Sequence, residues 1–118
     1  MKREYKLFLG DILESIERVQ KYTSTLTLSS FKNNSLARDA CVRNIEIMGE
    51  AIKNIPKEVK ARYPDIPWEK VIGFRNMVIR QYWVIDVDIL WDIIQTKLDS
   101  LYKQVAVALK KEKNLKKV

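Results

Sequence analysis

Only three glycines and three prolines punctuate 118 residues, and this scarcity of turn formers limits the accessible folds more than any other feature. A β-sandwich or barrel needs a turn roughly every 8–12 residues, whereas a few long helices need only a handful. Apolar residues make up 47% of the chain and charged residues 31%. That balance supports a buried core and argues against disorder. The length suits one compact domain, and no repeat, low-complexity run or Gly/Ser-rich linker divides it.

Hydrophobic spacing then places the helices. Residues 4–22 set Leu7, Phe8, Ile12, Leu13, Ile16, Val19 and Tyr22 mostly three and four apart, which predicts an amphipathic helix. The stretch 23–35, TSTLTLSSFKNNS, is rich in side chains that compete for backbone hydrogen bonds; it reads as a connector with a short turn at 29–32. Helical spacing resumes over 36–54 through Leu36, Ala40, Ile45, Met48, Ala51 and Ile52. Gly49 sits inside this helix at a propensity cost, which signals close approach by a neighbouring element. Pro56 opens a short helix at about 57–62 and Pro64 ends it. A further helix is expected from Trp68 to near Arg80, a break over Gln81–Ile85, and a last helix at about 87–109 capped by Asp86. The expected fold is all-α, an up-and-down bundle of four long helices and one short one.

The chain has no histidine. Ser-His-Asp and Cys-His nucleophiles, His-ligated zinc and Glu-x-x-His di-iron centres are therefore excluded. A lone Cys41 forms no intrachain disulfide and reads as a small buried apolar side chain. Glu46 and Glu50 are spaced to share a helix face, but without histidine or further carboxylates nearby they predict no metal site. No Gly-rich phosphate loop is present, and no cofactor is expected.

Lys and Arg total 22 against 15 Asp and Glu, a net +7. Residues 110–118, KKEKNLKKV, hold five lysines and one glutamate, so they carry +4 and leave +3 for the other 109. They read as a basic, flexible C-terminal tail following a helical domain at 1–109; the same lysines would strengthen contact with nucleic acid. Lys2, Arg3 and Glu4 follow Met1 directly, and Asp11 interrupts the next apolar stretch, which argues against a secretory signal. No window of about 18 residues is free of charge or strong polarity, so no membrane span is expected. The expected location is the cytoplasm.

The stretch 73–92, GFRNMVIRQYWVIDVDILWD, carries Arg75 and Asn76, then three apolar residues, then Tyr82, Trp83, Asp86, Trp91 and Asp92. Upstream lie RDACVRNIEIMGEAI at 38–52, with Gly49, Glu50 and Ala51, and PDIPWEKVIGFRN at 64–76. Together they resemble the HepT-like branch of the HEPN superfamily, over most of residues 1–105. The resemblance implies an all-α homodimer and, for active members, a metal-independent endoribonuclease toxin. It also implies a cognate minimal nucleotidyltransferase as antitoxin, which transfers AMP to a tyrosine. Carried over by position, Arg75 is the catalytic arginine and Tyr82 the AMP acceptor. The histidine position is occupied by Arg80.

This departure has a chemical consequence. Metal-free RNA cleavage needs a group to take the 2′-hydroxyl proton and one to protonate the leaving oxygen. Imidazole serves either role near neutral pH, whereas guanidinium stays protonated. Arg80 can bind phosphate and stabilise transition-state charge, so the expectation is retained RNA affinity with most or all cleavage lost. AMP on Tyr82 would place a phosphate in the electropositive pocket that RNA needs.

On a straight helix the side chains at 75 and 80 diverge by about 140°. Either the helix ends near residue 80 or two copies form a composite site. Asn76 could position residue 80 or hold the arginine, and Glu50 could pair with Arg75 or Arg43. Trp68, Tyr82 and Trp83 are candidate interface anchors, although Trp68 and Trp91 equally suit the core. Two further readings remain open: a non-catalytic helical dimer that binds the nucleotidyltransferase or nucleotide, and a generic nucleic-acid-binding bundle using the tail.

Overall fold

A computed structural model of the chain describes residues 3–80 and 86–115. The described residues form seven helices and no strands: α1 (Tyr5–Thr23), α2 (Leu28–Lys32), α3 (Ser35–Lys53), α4 (Lys57–Arg62), α5 (Trp68–Arg80), α6 (Val87–Thr96) and α7 (Leu98–Leu115). The all-α expectation holds. The break placed at Gln81–Ile85 lies outside the described residues, as do Tyr82 and Trp83.

Two elements differ from the sequence reading, each for a local reason. The short turn expected at 29–32 within the connector is a five-residue helix, α2. Thr27 Oγ1 accepts the Ser30 N–H at 3.2 Å while Ser30 Oγ accepts the Thr27 N–H at 2.8 Å, a reciprocal cap that turns local competition into helix initiation. Phe31 anchors this turn in the core, its ring 5.1 Å from that of Trp91. The last helix is divided at Lys97. Just before the division, the Thr96 hydroxyl donates to the Asp92 carbonyl at 2.7 Å, a back-bond of the kind that bends helices.

α1 packs along α3 and α7, and α3 carries α5. Leu9, Ile12, Ile16 and Val19 of α1 are fully buried against a core that includes Cys41, Ile45, Met48 and Ile52 of α3. Each such side chain contributes on the order of 1.5–3 kcal/mol through its removal from water. Leu7 and Leu36, counted above among the apolar stripes, face solvent instead. Burial pushes the Cys41 thiol up to about 12, in keeping with a packed, protonated side chain.

Trp68 belongs to the core rather than to an exposed anchor: it is buried, and its indole N–H donates to the Tyr63 carbonyl at 3.1 Å. Its position at the start of α5, after two prolines, turns the ring back onto α4.

α7 continues past residue 109, where a flexible tail was expected, and is helical through Leu115. The cause is Glu112, whose carboxylate is fully buried. It accepts hydrogen bonds from the Tyr5 hydroxyl at 2.7 Å, from Arg62 Nε at 3.0 Å and from the Tyr63 hydroxyl. The Arg62 guanidinium and the two phenols hold this carboxyl well below the usual range, at about 2, against the opposing effect of desolvation. One side chain thus ties α1, α4 and its C-terminal flank to α7.

Candidate active site

The site begins with the glycine inside α3. A Cβ at Gly49 would collide with Cγ of Arg75 and lie 2.8 Å from its Cβ and 2.9 Å from its Cδ. The close approach anticipated from sequence is therefore made by the stem of Arg75, which crosses α3 where only a hydrogen fits. The next residue then captures the head group: Glu50 Oε1 accepts from Arg75 Nη2. On the other side, Asn76 Oδ1 accepts from Arg75 Nη1 at 2.8 Å. Arg75 Nε is buried without a hydrogen-bond partner among the described residues. Glycine, carboxylate and amide together fix the direction of the guanidinium, with only 16% of the side chain exposed.

Of the two partners considered for Glu50, Arg75 is the one engaged; Arg43 pairs with Glu46 at 2.7 Å. Glu50 is half exposed even so, which makes the pair a rim contact rather than a buried one. Asn76 bonds Arg75 and not residue 80.

Arg75 opens into a cleft of about 410 Å³ between α1, α3 and α5. The charged groups lining it are Asp11, Arg43, Glu46, Glu50 and Arg75. Three carboxylates against two guanidinium groups do not make the electropositive pocket expected from the sequence. The carboxylates are all engaged with arginines, Asp11 with Arg3 at 2.6 Å. Among the described residues no group of three or more His, Cys, Asp or Glu is arranged to hold a metal.

Arg80 is an exposed residue at the end of α5 and does not line this cleft. Because α5 is helical from Trp68 through Arg80, Arg75 and Arg80 leave it in directions about 140° apart. The structure brings together Gly49, Glu50, Arg75 and Asn76. It does not bring Arg80 to them within one chain, and Tyr82 lies outside the described residues.

A family profile described as "Ribonuclease HepT-like" matches residues 12–108. The chain belongs to the HepT-like ribonuclease family. A "Probable ribonuclease HepT" of Thermococcus cleftensis is 37% identical over 101 residues, which are 86% of this chain and 92% of that protein. "Putative RNase MJ1380" of Methanocaldococcus jannaschii is 37% identical over 106 residues, 90% and 97% of the two chains. "Gamma-glutamylcyclotransferase and putative RNase MJ0434" of the same organism is 36% identical over 105 residues, 89% of this chain. The HepT-like chain spans about half the length of that last relative, 47%. No solved structure matches the chain.

Proposed function

We propose that this HepT-like chain is the toxin component of a toxin-antitoxin pair, built on the family's metal-independent endoribonuclease framework and impaired in cleavage by Arg80. The observation that carries the reading is the cradle of Arg75: a glycine spent to admit its stem, and two partners spent to aim its head. Such preorganisation suits a cation meant for the charge that develops on a phosphodiester. RNA is the substrate or ligand. Arg75 supplies charge stabilisation, Asn76 and Glu50 orient it, and Arg80 occupies the place of the proton-transferring histidine.

The site is completed in a homodimer of helical bundles. Within one chain Arg75 and Arg80 diverge along α5, so a phosphate touching both needs Arg80 from a second copy. The cognate minimal nucleotidyltransferase acts on Tyr82, where the phenol oxygen displaces pyrophosphate from the α-phosphorus of ATP and gives up its proton, so that the attached AMP blocks the RNA path with a bulky phosphate. The chain works in the cytoplasm; no helix among the described residues is long and apolar enough to cross a membrane.

The absence of histidine specifically favours one alternative, a non-catalytic dimer that retains partner or nucleotide binding. The test is to compare cleavage of end-labelled RNA by the chain and by Arg80→His. Restoring one acid-base group is expected to raise the rate by about 10²- to 10⁴-fold. Equal, undetectable cleavage by both supports the non-catalytic reading.

A further inference from the structure

The cleft around Arg75 poses an electrostatic problem for RNA binding. With three carboxylates and two arginines along its walls, it offers a polyanion no net attraction. The chain nevertheless carries +7. Basic side chains gather elsewhere, along three shallow concavities that run into one another on the α4–α5 connection and α7. Pro64 and Ile66 belong to both the first and the second, and Arg62, Tyr63 and Lys111 belong to both the second and the third. The continuous band is lined by Lys57, Lys60, Arg62, Lys70, Lys103 and Lys111 against Asp65 and Glu69. Arg62 is paired with Glu112 and Lys103 with Asp99 at 3.1 Å, and Lys57, Lys60, Lys70 and Lys111 make no ion pair among the described residues.

The band is built rather than incidental. Gln104 Nε2 donates to the Asp65 carbonyl at 3.0 Å, locking α7 to the connection before α5. The one acidic side chain in the last turns of α7, Glu112, is turned fully inward against Arg62. Lys110, Lys111 and Lys113 are left as the charged groups those turns present outward. They sit at a helix C-terminus, where cations are favoured. At its other end the band reaches Lys70, five residues before Arg75 on α5.

We propose that this α4–α7 band is a docking track for the sugar-phosphate backbone of RNA, separate from the Arg75 cleft and supplying the affinity that the cleft's charge balance withholds. Backbone contact through lysines releases counterions and is blind to sequence; the cleft, by contrast, holds the aimed cation. Only the choice of RNA over another polyanion rests on the ribonuclease reading.

The experiment measures binding of a fluorescent 12-nucleotide single-stranded RNA to the full chain by anisotropy across a salt series. The variants are the triple Lys57→Gln/Lys103→Gln/Lys111→Gln, the matching triple Lys→Arg, and Arg75→Gln, each with its melting curve. All three lysines are exposed. The glutamine triple is expected to bind at least about tenfold more weakly, with the log–log salt slope reduced by about 2, or about 0.7 per lost phosphate contact. The arginine triple keeps both quantities, and Arg75→Gln changes the slope by less than about 1.

An unchanged glutamine triple, loss of binding confined to Arg75→Gln, or no binding of RNA by the parent chain overturns the proposal. So does binding of anionic phosphatidylserine vesicles in place of RNA. Failure of the ribonuclease reading is seen separately, in the cleavage assay. If Arg80→His cleaves nothing while the glutamine triple still loses RNA, the track stands and the enzyme reading falls.

Discussion

At the scale of single residues, the account turns on Gly49. A methyl group there collides with the Cβ and Cγ of Arg75, atoms too close to the backbone to swing aside. Gly49→Ala is therefore expected to destabilise the chain by about 1–3 kcal/mol despite the better helix propensity of alanine. A melting curve checks this, and an unchanged or raised midpoint contradicts it. Cys41 gives a second expectation: with its thiol buried and pushed up to about 12, it stays unreactive toward a thiol reagent at pH 8 until denaturant is added. Rapid labelling of the folded chain contradicts that packing. Gly49 was legible in the sequence because a glycine inside a periodic helix is an anomaly that asks for a neighbour. Which neighbour was not legible, since Arg75 lies on another element and spacing along α3 says nothing about what crosses it. Glu112 was missed altogether. Surrounded by lysines it reads as a solvated tail residue, and its partners Tyr5, Arg62 and Tyr63 stand 107, 50 and 49 residues away.

At the scale of elements, Glu112 makes the last turns of α7 part of the fold. Its carboxyl is held at about 2, below its ordinary value of about 4.3. A lowered value means that the stabilisation is present above the unfolded pKa and is lost as pH falls from about 4.3 toward 2. It amounts to about 2–3 kcal/mol, discounted because the Arg62 side chain is 42% exposed. Glu112→Gln is accordingly expected to lower stability by a similar amount at pH 7 and to flatten the acid side of the stability profile. Urea unfolding at pH 7 and pH 3 checks both; identical pH profiles for the two proteins contradict the assignment. The long helices α1, α3 and α5 were legible from periodicity to within about a residue at their described ends, because burial on one face dictates the pattern. Of the small helix α2 only a short turn at 29–32 was legible, and the division at Lys97 was not. Each depends on hydroxyl side chains, Thr27 with Ser30 and Thr96, whose choice between capping, bending and solvent is made by the packing around them.

At the scale of the whole molecule, the cradle of Arg75 and the lysine-lined band occupy different places. The Arg75 cleft is preorganised and nearly balanced in charge, while the α4–α7 band is cationic. On the proposed function, the divergence of Arg75 and Arg80 along α5 would leave completion of the site to a second copy. Sedimentation or light scattering is therefore expected to show a dimer at micromolar concentration, and a strict monomer contradicts the composite site. Composition announced the basic excess at residues 110–118, but it could not show that Glu112 turns inward and carries α7 through Leu115. The central claim is that a preset arginine waits for a proton shuttle that position 80 no longer provides. The pH dependence of RNA cleavage by Arg80→His, with and without Arg75→Gln, tests it most directly. The account predicts cleavage by Arg80→His that varies with pH near neutrality, as an imidazole demands, and its near abolition when Arg75 is also replaced. Cleavage by the unaltered chain at the same rate, or by the double variant, contradicts it.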